Sequence, residues 1–389
     1  MTAFPVNIRP DIAELEESKI VEVWRMGFDY PDTIGMWVGQ GDLPTPRFIC
    51  DATTKAMQEG QTFYTHKRGI PELRQALADY HRDLYGVEIA DERIAVTSSG
   101  MNAMMLIIQT LLSAGDNIVC VTPVWPNIFA CAQIQGGVAK QVPLVGTPHG
   151  WELDIESLFA ACDSRTKAIY IASPGNPTGW VMPEAQRRAT LDFCRARGIA
   201  LIADEVYNRL IYNARVAPSF LEIAKPEDPL FVVNSFSKTW AMTGWRVGWM
   251  IMPQGLTDQL DRLIEFNTSG GQGFLQAGCV AAIRQGEPWV KWMVERCRQG
   301  RDLVLERLGA MNRVSVIPAD ASYYLMLKVE EMGDPVEFCK RLVREAGVGL
   351  APGTAFGAGG APYLRMCYAQ GNDRLALAMD RLAKHLGRI

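Results

Sequence analysis

Short apolar runs rich in β-branched residues alternate with amphipathic stretches through the middle of the chain. Runs at 94–97, 117–121, 168–172, 199–203, 231–234 and 247–252 have strand length and read as strands. Between several of them, as at 102–112 and 184–197, apolar residues recur at helical spacing. Strands this apolar, separated by helices, predict an α/β architecture: a mostly parallel sheet covered on both faces. Ligands of such sheets sit on the loops beyond the strand ends.

The last third of the chain has another pattern. A long helical stretch at 288–308 carries basic residues on one face. A strand-like run at 322–329, a helix at 335–346, a glycine-rich turn at 352–360 and a helix at 373–386 follow. This predicts a smaller α+β domain, with a helix at 12–26 packed on it. The expected organisation is an N-terminal segment 1–38, a large domain 39–284 and a small C-terminal domain 285–389.

Composition narrows the function classes. The 389 residues suffice for a large and a small domain. The formal charge of −4 gives no case for nucleic acid or an anionic membrane as partner. No apolar run reaches the roughly 18 residues of a membrane span. No basic segment followed by an apolar one opens the chain, so no signal peptide is expected. Nine singly placed cysteines without a CxxC pair read as reduced thiols of a cytoplasmic protein. The four histidines lack ligand spacing, so no metal is expected.

The chemistry gathers at the predicted strand ends. Lys238, in Ser235-Phe236-Ser237-Lys238, follows the apolar run 230–233, where an amine is costly unless something uses it. Ser235, Ser237 and Arg246 around it point to a phosphate. An amine beside a phosphate site fits the tether of a phosphorylated aldehyde, pyridoxal 5'-phosphate. That group also needs a carboxylate for its pyridine nitrogen and a flat partner for its ring. Asp204 ends a strand and can supply the carboxylate, a helix N-cap being the competing reading. Tyr207, three residues on, can reach the phenolic oxygen. Ser99-Gly100-Met101 opens a helix after a strand, where free N–H groups favour an anion. Trp125 follows another strand and offers a ring face, if it is not a core anchor. Asn176 lies in the rigid turn Ser173-Pro174-Gly175-Asn176-Pro177-Thr178-Gly179. Arg365, between apolar residues, needs an acid: a substrate carboxylate or an ordinary ion pair.

Taken in order, these motifs resemble the class I/II aminotransferases of pyridoxal phosphate fold type I. The likeness spans nearly the whole chain and includes Gly39-Gln40-Gly41-Asp42-Leu43-Pro44 and Tyr64-Thr65-His66-Lys67-Arg68-Gly69. It implies a seven-stranded, mostly parallel sheet with helices on both faces, and a ping-pong exchange between an amino acid and a 2-oxo acid. It implies Lys238 as the Schiff-base lysine and proton shuttle, Asp204 at the pyridinium, and Tyr207 and Asn176 at the phenolic oxygen. Trp125 would stack on the ring. Ser99, Gly100, Met101, Ser235, Ser237 and Arg246 would hold the phosphate. Arg365, with Asn176 nearby, would hold the substrate carboxylate, and Val38 and Gly39 would cover the substrate. Tyr64 would reach the phosphate of a neighbouring subunit, which implies a homodimer with shared active sites.

Some aspartate-specific relatives carry a lysine at the place of Met101, and others an arginine near 264–269, where this chain has Glu265. Both charges are missing, so neutral, aromatic or broad specificity is expected, with Trp37, Phe63 and Tyr323 forming a partly aromatic pocket. The runner-up is a lyase on the same fold, of the C–S β-lyase or aminocyclopropane-carboxylate-synthase type. A regulator with a transaminase-like domain would need a helix-turn-helix region, for which there is no room before Gly39. An NAD oxidoreductase would need a GxGxxG after its first strand, and none is present.

Overall fold

The structure is a computed structural model describing residues 6–387; residues 1–5 and 388–389, into which the expected terminal segments extend, lie outside the described residues. A seven-stranded sheet forms its centre. The strands are β1 (Ile94–Thr97), β2 (Asn117–Thr122), β3 (Val138–Pro143), β4 (Thr166–Ala172), β5 (Ala200–Asp204), β6 (Leu230–Ser235) and β7 (Gly248–Ile251). They lie in the order β1-β7-β6-β5-β4-β2-β3. β7 runs antiparallel to both neighbours, and the other pairs are parallel.

Both faces of the sheet are covered, which is why its central strands are apolar at nearly every position. Ile169, Leu201, Val232 and Trp249 face one core. Their neighbours Ala168, Tyr170, Ile202, Phe231 and Met250 face the other, beneath the helix Gly100–Leu111. The edge strand β3 was not foreseen in the apolar pattern. Only Val142 of its six residues is buried, and an edge needs no second apolar face.

A four-stranded antiparallel sheet follows: β8 (Val314–Ile317), β9 (Tyr324–Val329), β10 (Ala351–Pro352) and β11 (Leu364–Cys367), in the order β8-β9-β11-β10. The helices Glu287–Gly309 and Asn372–Leu386 send Cys297, Val304, Leu375 and Met379 into one core with β9 and β11. Val23 joins that core from the N-terminal segment.

The N-terminal helix expected at 12–26 is instead two short ones, Pro10–Ala13 and Lys19–Arg25. The segment has two anchors. Arg9 Nη2 donates to the carbonyl of Ile134 at 2.8 Å, tying the first helix to the large sheet's side. Glu22 pairs with Lys340 at 2.7 Å, tying the second to the small domain. Residues 14–18 between the two helices are not helical.

Candidate active site

A cavity of about 530 Å³ opens at one edge of the large sheet. Gly100 beyond β1, Trp125 beyond β2, Asn176 beyond β4, and Asp204 and Ser235 at the ends of β5 and β6 all line it. Arg246 precedes β7, whose reversed direction brings its start to the same edge. Parallel strands thus turn positions more than a hundred residues apart into neighbours.

Lys238 lies in the single helical turn Phe236–Thr239 after β6. Its Nζ donates to the carbonyl oxygen of Gly39 at 2.6 Å. Burial above all, with the charges of Arg365 and Arg246, holds its pKa down to about 8. Asp204, half-buried at the end of β5, lines the same cavity. Its Oδ2 accepts from Tyr170 Oη at 2.8 Å and its Oδ1 from the Val206 N–H at 3.2 Å. Burial pushes the Asp204 carboxyl up, and the Tyr170 hydrogen bond opposes this. The Tyr207 hydroxyl lies 2.7 Å from that of Tyr324, and burial pushes its pKa well above the usual phenol value.

Beside Lys238, Ser235 Oγ donates to Ser237 Oγ at 2.9 Å. Gly248 approaches so closely that a Cβ there would stand 2.4 Å from the Gly100 nitrogen. Arg246 has a left-handed φ of 54° and donates to the Thr243 carbonyl at 2.6 Å. Ser99 has a φ of 125°, a region populated almost only by glycine. Its Oγ accepts from the Asn102 N–H at 3.1 Å, so it caps the helix start rather than facing the cavity.

Arg365, on β11, is only 2% exposed. Nη1 donates to Asn176 Oδ1 at 3.1 Å and Nη2 to the Trp37 carbonyl oxygen, while Nε is buried without a hydrogen-bond partner. The rings of Tyr324 and Phe356 flank it at 4.5 and 4.7 Å. Among the described residues no carboxylate pairs with it.

Val38, Gly39 and Met101 also line the cavity. Tyr64 does not: it is 94% exposed, with Phe63 at 85% and Phe266 at 84%. The aromatic pocket expected from Trp37, Phe63 and Tyr323 is corrected. Trp37 is buried against Gly35 and Gly349, Phe63 lies on the surface, and Tyr323 turns its hydroxyl to the Gly39 carbonyl outside the main cavity. Alternation along the strand puts Tyr324, not Tyr323, in the wall. Sequence reasoning also missed Ser18, Ile20 and Val21, which reach the cavity from the N-terminal segment, and Met104 and Asn127. Met104 follows Met101 by one helical step and was findable from that spacing. The N-terminal residues carried no local signal.

Residues 32–386 match the family described as aminotransferase class I and II. The chain belongs to that family. A probable aspartate/prephenate aminotransferase of Aquifex aeolicus is 33% identical over 367 residues, 92% of each chain. Among solved structures, an aspartate aminotransferase mutant of Thermus thermophilus superposes with a TM-score of 0.90 at 29% identity, covering 97% of this chain and 99% of that one. An alanine aminotransferase from Pyrococcus furiosus gives 0.92 at 25%, covering 98% and 100%. The protein is therefore an enzyme of the transaminase type on the fold type I architecture.

Class I and II aminotransferases depend on pyridoxal phosphate, and this chain's residues fit that group. One cavity holds a half-buried amine, a half-buried carboxylate, a helix start with free N–H groups and two guanidinium groups. Among the described residues the Nε of Arg365 has no hydrogen-bond partner and is a donor left for a ligand.

Proposed function

We propose that the enzyme exchanges an amino group between an amino acid with a neutral side chain and a 2-oxo acid, in ping-pong order. The observation that carries it is Arg365: a buried guanidinium without a carboxylate, in the same cavity as Lys238. A substrate α-carboxylate is the acid it lacks, held through two parallel hydrogen bonds. Asn176, already bonded to Arg365, steadies that grip.

The cofactor, when bound, supplies the electron sink. Lys238 holds its aldehyde and, once released, takes the substrate's Cα proton; a lowered pKa keeps its amine near neutral for that task. Asp204 keeps the ring nitrogen protonated. Tyr207 and Asn176 meet the phenolic oxygen, and Trp125 covers the ring. Ser99, Gly100, Met101, Ser235, Ser237 and Arg246 hold the phosphate, Ser99 by shaping the helix start. Val38 and Gly39 close over the substrate.

Specificity for neutral side chains follows from the walls. Each cation of the cavity, Lys238, Arg246 and Arg365, has a role already, and the remaining wall includes Ile20, Val21, Val38, Met101 and Met104. Ser18, Gln40, Asn127 and Thr243 share that wall, and none of them carries a charge to match a second carboxylate. Glu265 pairs with Lys67 outside the cavity. The relative from Aquifex aeolicus is named for aspartate and prephenate; the expected preference of this chain differs.

The same reading includes a cytoplasmic homodimer in which Tyr64 completes the neighbour's phosphate site. Residues 39–284 and 285–389 act as large and small domains, with 1–38 packing on the latter. Among the described residues no helix is long and apolar enough to cross a membrane.

The test is a half-reaction screen of the purified enzyme against single amino acids, following cofactor absorbance and the oxo acid formed. Neutral amino acids should convert and aspartate should react slowly. Ammonia and pyruvate in place of an amino acid–oxo acid pair would replace transamination by elimination. Preferred turnover of aspartate would overturn the specificity.

A further inference from the structure

We propose that Tyr170 is a positioning residue for the reaction: its hydroxyl holds Asp204 as a carboxylate directed at the cofactor's ring nitrogen. The inference rests on the Asp204 assignment above and extends it to a residue outside the cavity.

The geometry comes from strand register. Ala172 of β4 pairs with Asp204 of β5, and Tyr170 pairs with Ile202. Side chains two apart share a face, so Tyr170, Ala172, Ile202 and Asp204 all stand on the side of the helix Gly100–Leu111. Ala172 is small, which leaves the space beside Asp204 open. The Tyr170 phenol crosses it and donates to Oδ2 at 2.8 Å. Tyr170 is fully buried.

The hydroxyl has no packing reason to be there. The surrounding core is Cys120, Ala168, Ile202 and similar apolar residues, where a phenylalanine would fill the same volume. Among the described residues the one acceptor the hydroxyl meets is Asp204. Burial, then the Asp204 charge, pushes the phenol pKa well above its usual value, so it stays a donor. The Cys120 and Cys131 thiols nearby are kept neutral by burial, Cys131 pushed up to about 12. The ionisable groups facing Asp204 are Tyr170 from β4 and Lys238 from the turn after β6.

A desolvated carboxylate that loses a donor becomes a stronger base. The proton it shares with a ring nitrogen then moves toward Asp204, and a neutral ring is the poorer electron sink. Tyr170 therefore acts through Asp204, by weakening it as a base while keeping it anionic.

The experiment is Tyr170→Phe in the full-length enzyme. In apoenzyme carrying 13C-labelled aspartate, the Asp204 titration midpoint should rise by about one unit. In enzyme reloaded with ring-15N cofactor, the nitrogen resonance should move toward the neutral ring. Turnover should fall about 10-fold, the factor equivalent to one unit, with KM within about twofold. An unmoved midpoint and an unmoved 15N resonance, with only a lower melting temperature, would reduce Tyr170 to packing and overturn the proposal. Should Tyr170→Phe fail to fold, Asp204→Asn is compared with Tyr170→Phe/Asp204→Asn, in which no buried charge is left unpaired. Equal cofactor affinity in the two supports action through Asp204, and a further loss in the double variant overturns it. Wild-type turnover by Asp204→Asn alone would defeat the Asp204 assignment itself, and the inference with it.

Discussion

Arg365 Nη1 and Asn176 Oδ1 meet at 3.1 Å, joining β11 of the small sheet to the loop beyond β4 of the large one. The bond ties a cation with no acid of its own to the wall that also carries Asp204. Arg365→Lys keeps the charge but loses the planar fork. We expect kcat/KM to fall about 100-fold, mostly through KM, with cofactor affinity unchanged. Steady-state kinetics near wild type would remove Arg365 from substrate binding.

Lys238 makes the apoenzyme's stability depend on alkaline pH. Its folded pKa near 8 lies below the unfolded lysine value of 10.5. Between these the unfolded chain binds more protons, so stability rises with pH across the window and the full penalty remains below 8. Lys238→Met should flatten that slope and stabilise the apoenzyme at neutral pH by a few kcal/mol, on the order of one per displaced unit. Denaturant unfolding at a series of pH values checks it; identical slopes would count against a buried, depressed amine.

His81 acts at the acid side. It is fully buried, accepts from Trp249 Nε1 at 3.2 Å, and burial lowers its pKa to about 3 from 6.5. The unfolded histidine is protonated first as pH falls, so stability is lost from about 6.5 downward to 3. His81→Gln keeps an acceptor for Trp249 without titrating. Its stability should decline less steeply over that window, and an unchanged acid slope would clear His81 of the role.

Gly248 is where the phosphate cup tolerates no extra atom. The Cβ of Gly248→Ala would press on the Gly100 nitrogen at 2.4 Å and the Ser99 carbonyl carbon at 2.7 Å, both backbone atoms that cannot swing aside. The helix start must shift, and we expect cofactor affinity to fall about 10-fold or more, by analogy with loss of aligned N–H donors. Equilibrium titration of apoenzyme with cofactor reads this directly; undiminished affinity would place the phosphate elsewhere.

Tyr64 tests the shared site. At 94% exposure it makes no use of its own cavity. Sedimentation should show a dimer, and Tyr64→Ala should stay dimeric while binding cofactor more weakly. A monomer that binds cofactor like the wild type would end the shared-site reading.

Strand-end chemistry was legible because it is local. Lys238, Asp204, Asn176 and Gly100 each follow an apolar run, and the sheet brings all four to one cavity. Arg365 was legible as a cation set among apolar neighbours. Three things were not. β3 is a polar edge strand with a single buried residue, so it lacks the apolar signal. Ile20 and Val21 reach the cavity from the second of two short N-terminal helices, a placement set by contacts distant in sequence. Tyr170 looked like ordinary core until register set it beside Asp204.

The sequence by itself determined the alternation of strands and helices, and with it the sheet and the edge where ligands bind, because burial on both faces demands apolar runs. It determined the family as well, through the order of its motifs. Only the tertiary structure decided which side chains share a cavity and which donors lack acceptors. Those facts depend on register and on contacts between positions up to several hundred residues apart, such as Arg365 with Trp37. No local pattern encodes them, since each partner alone satisfies the same propensities in many other settings.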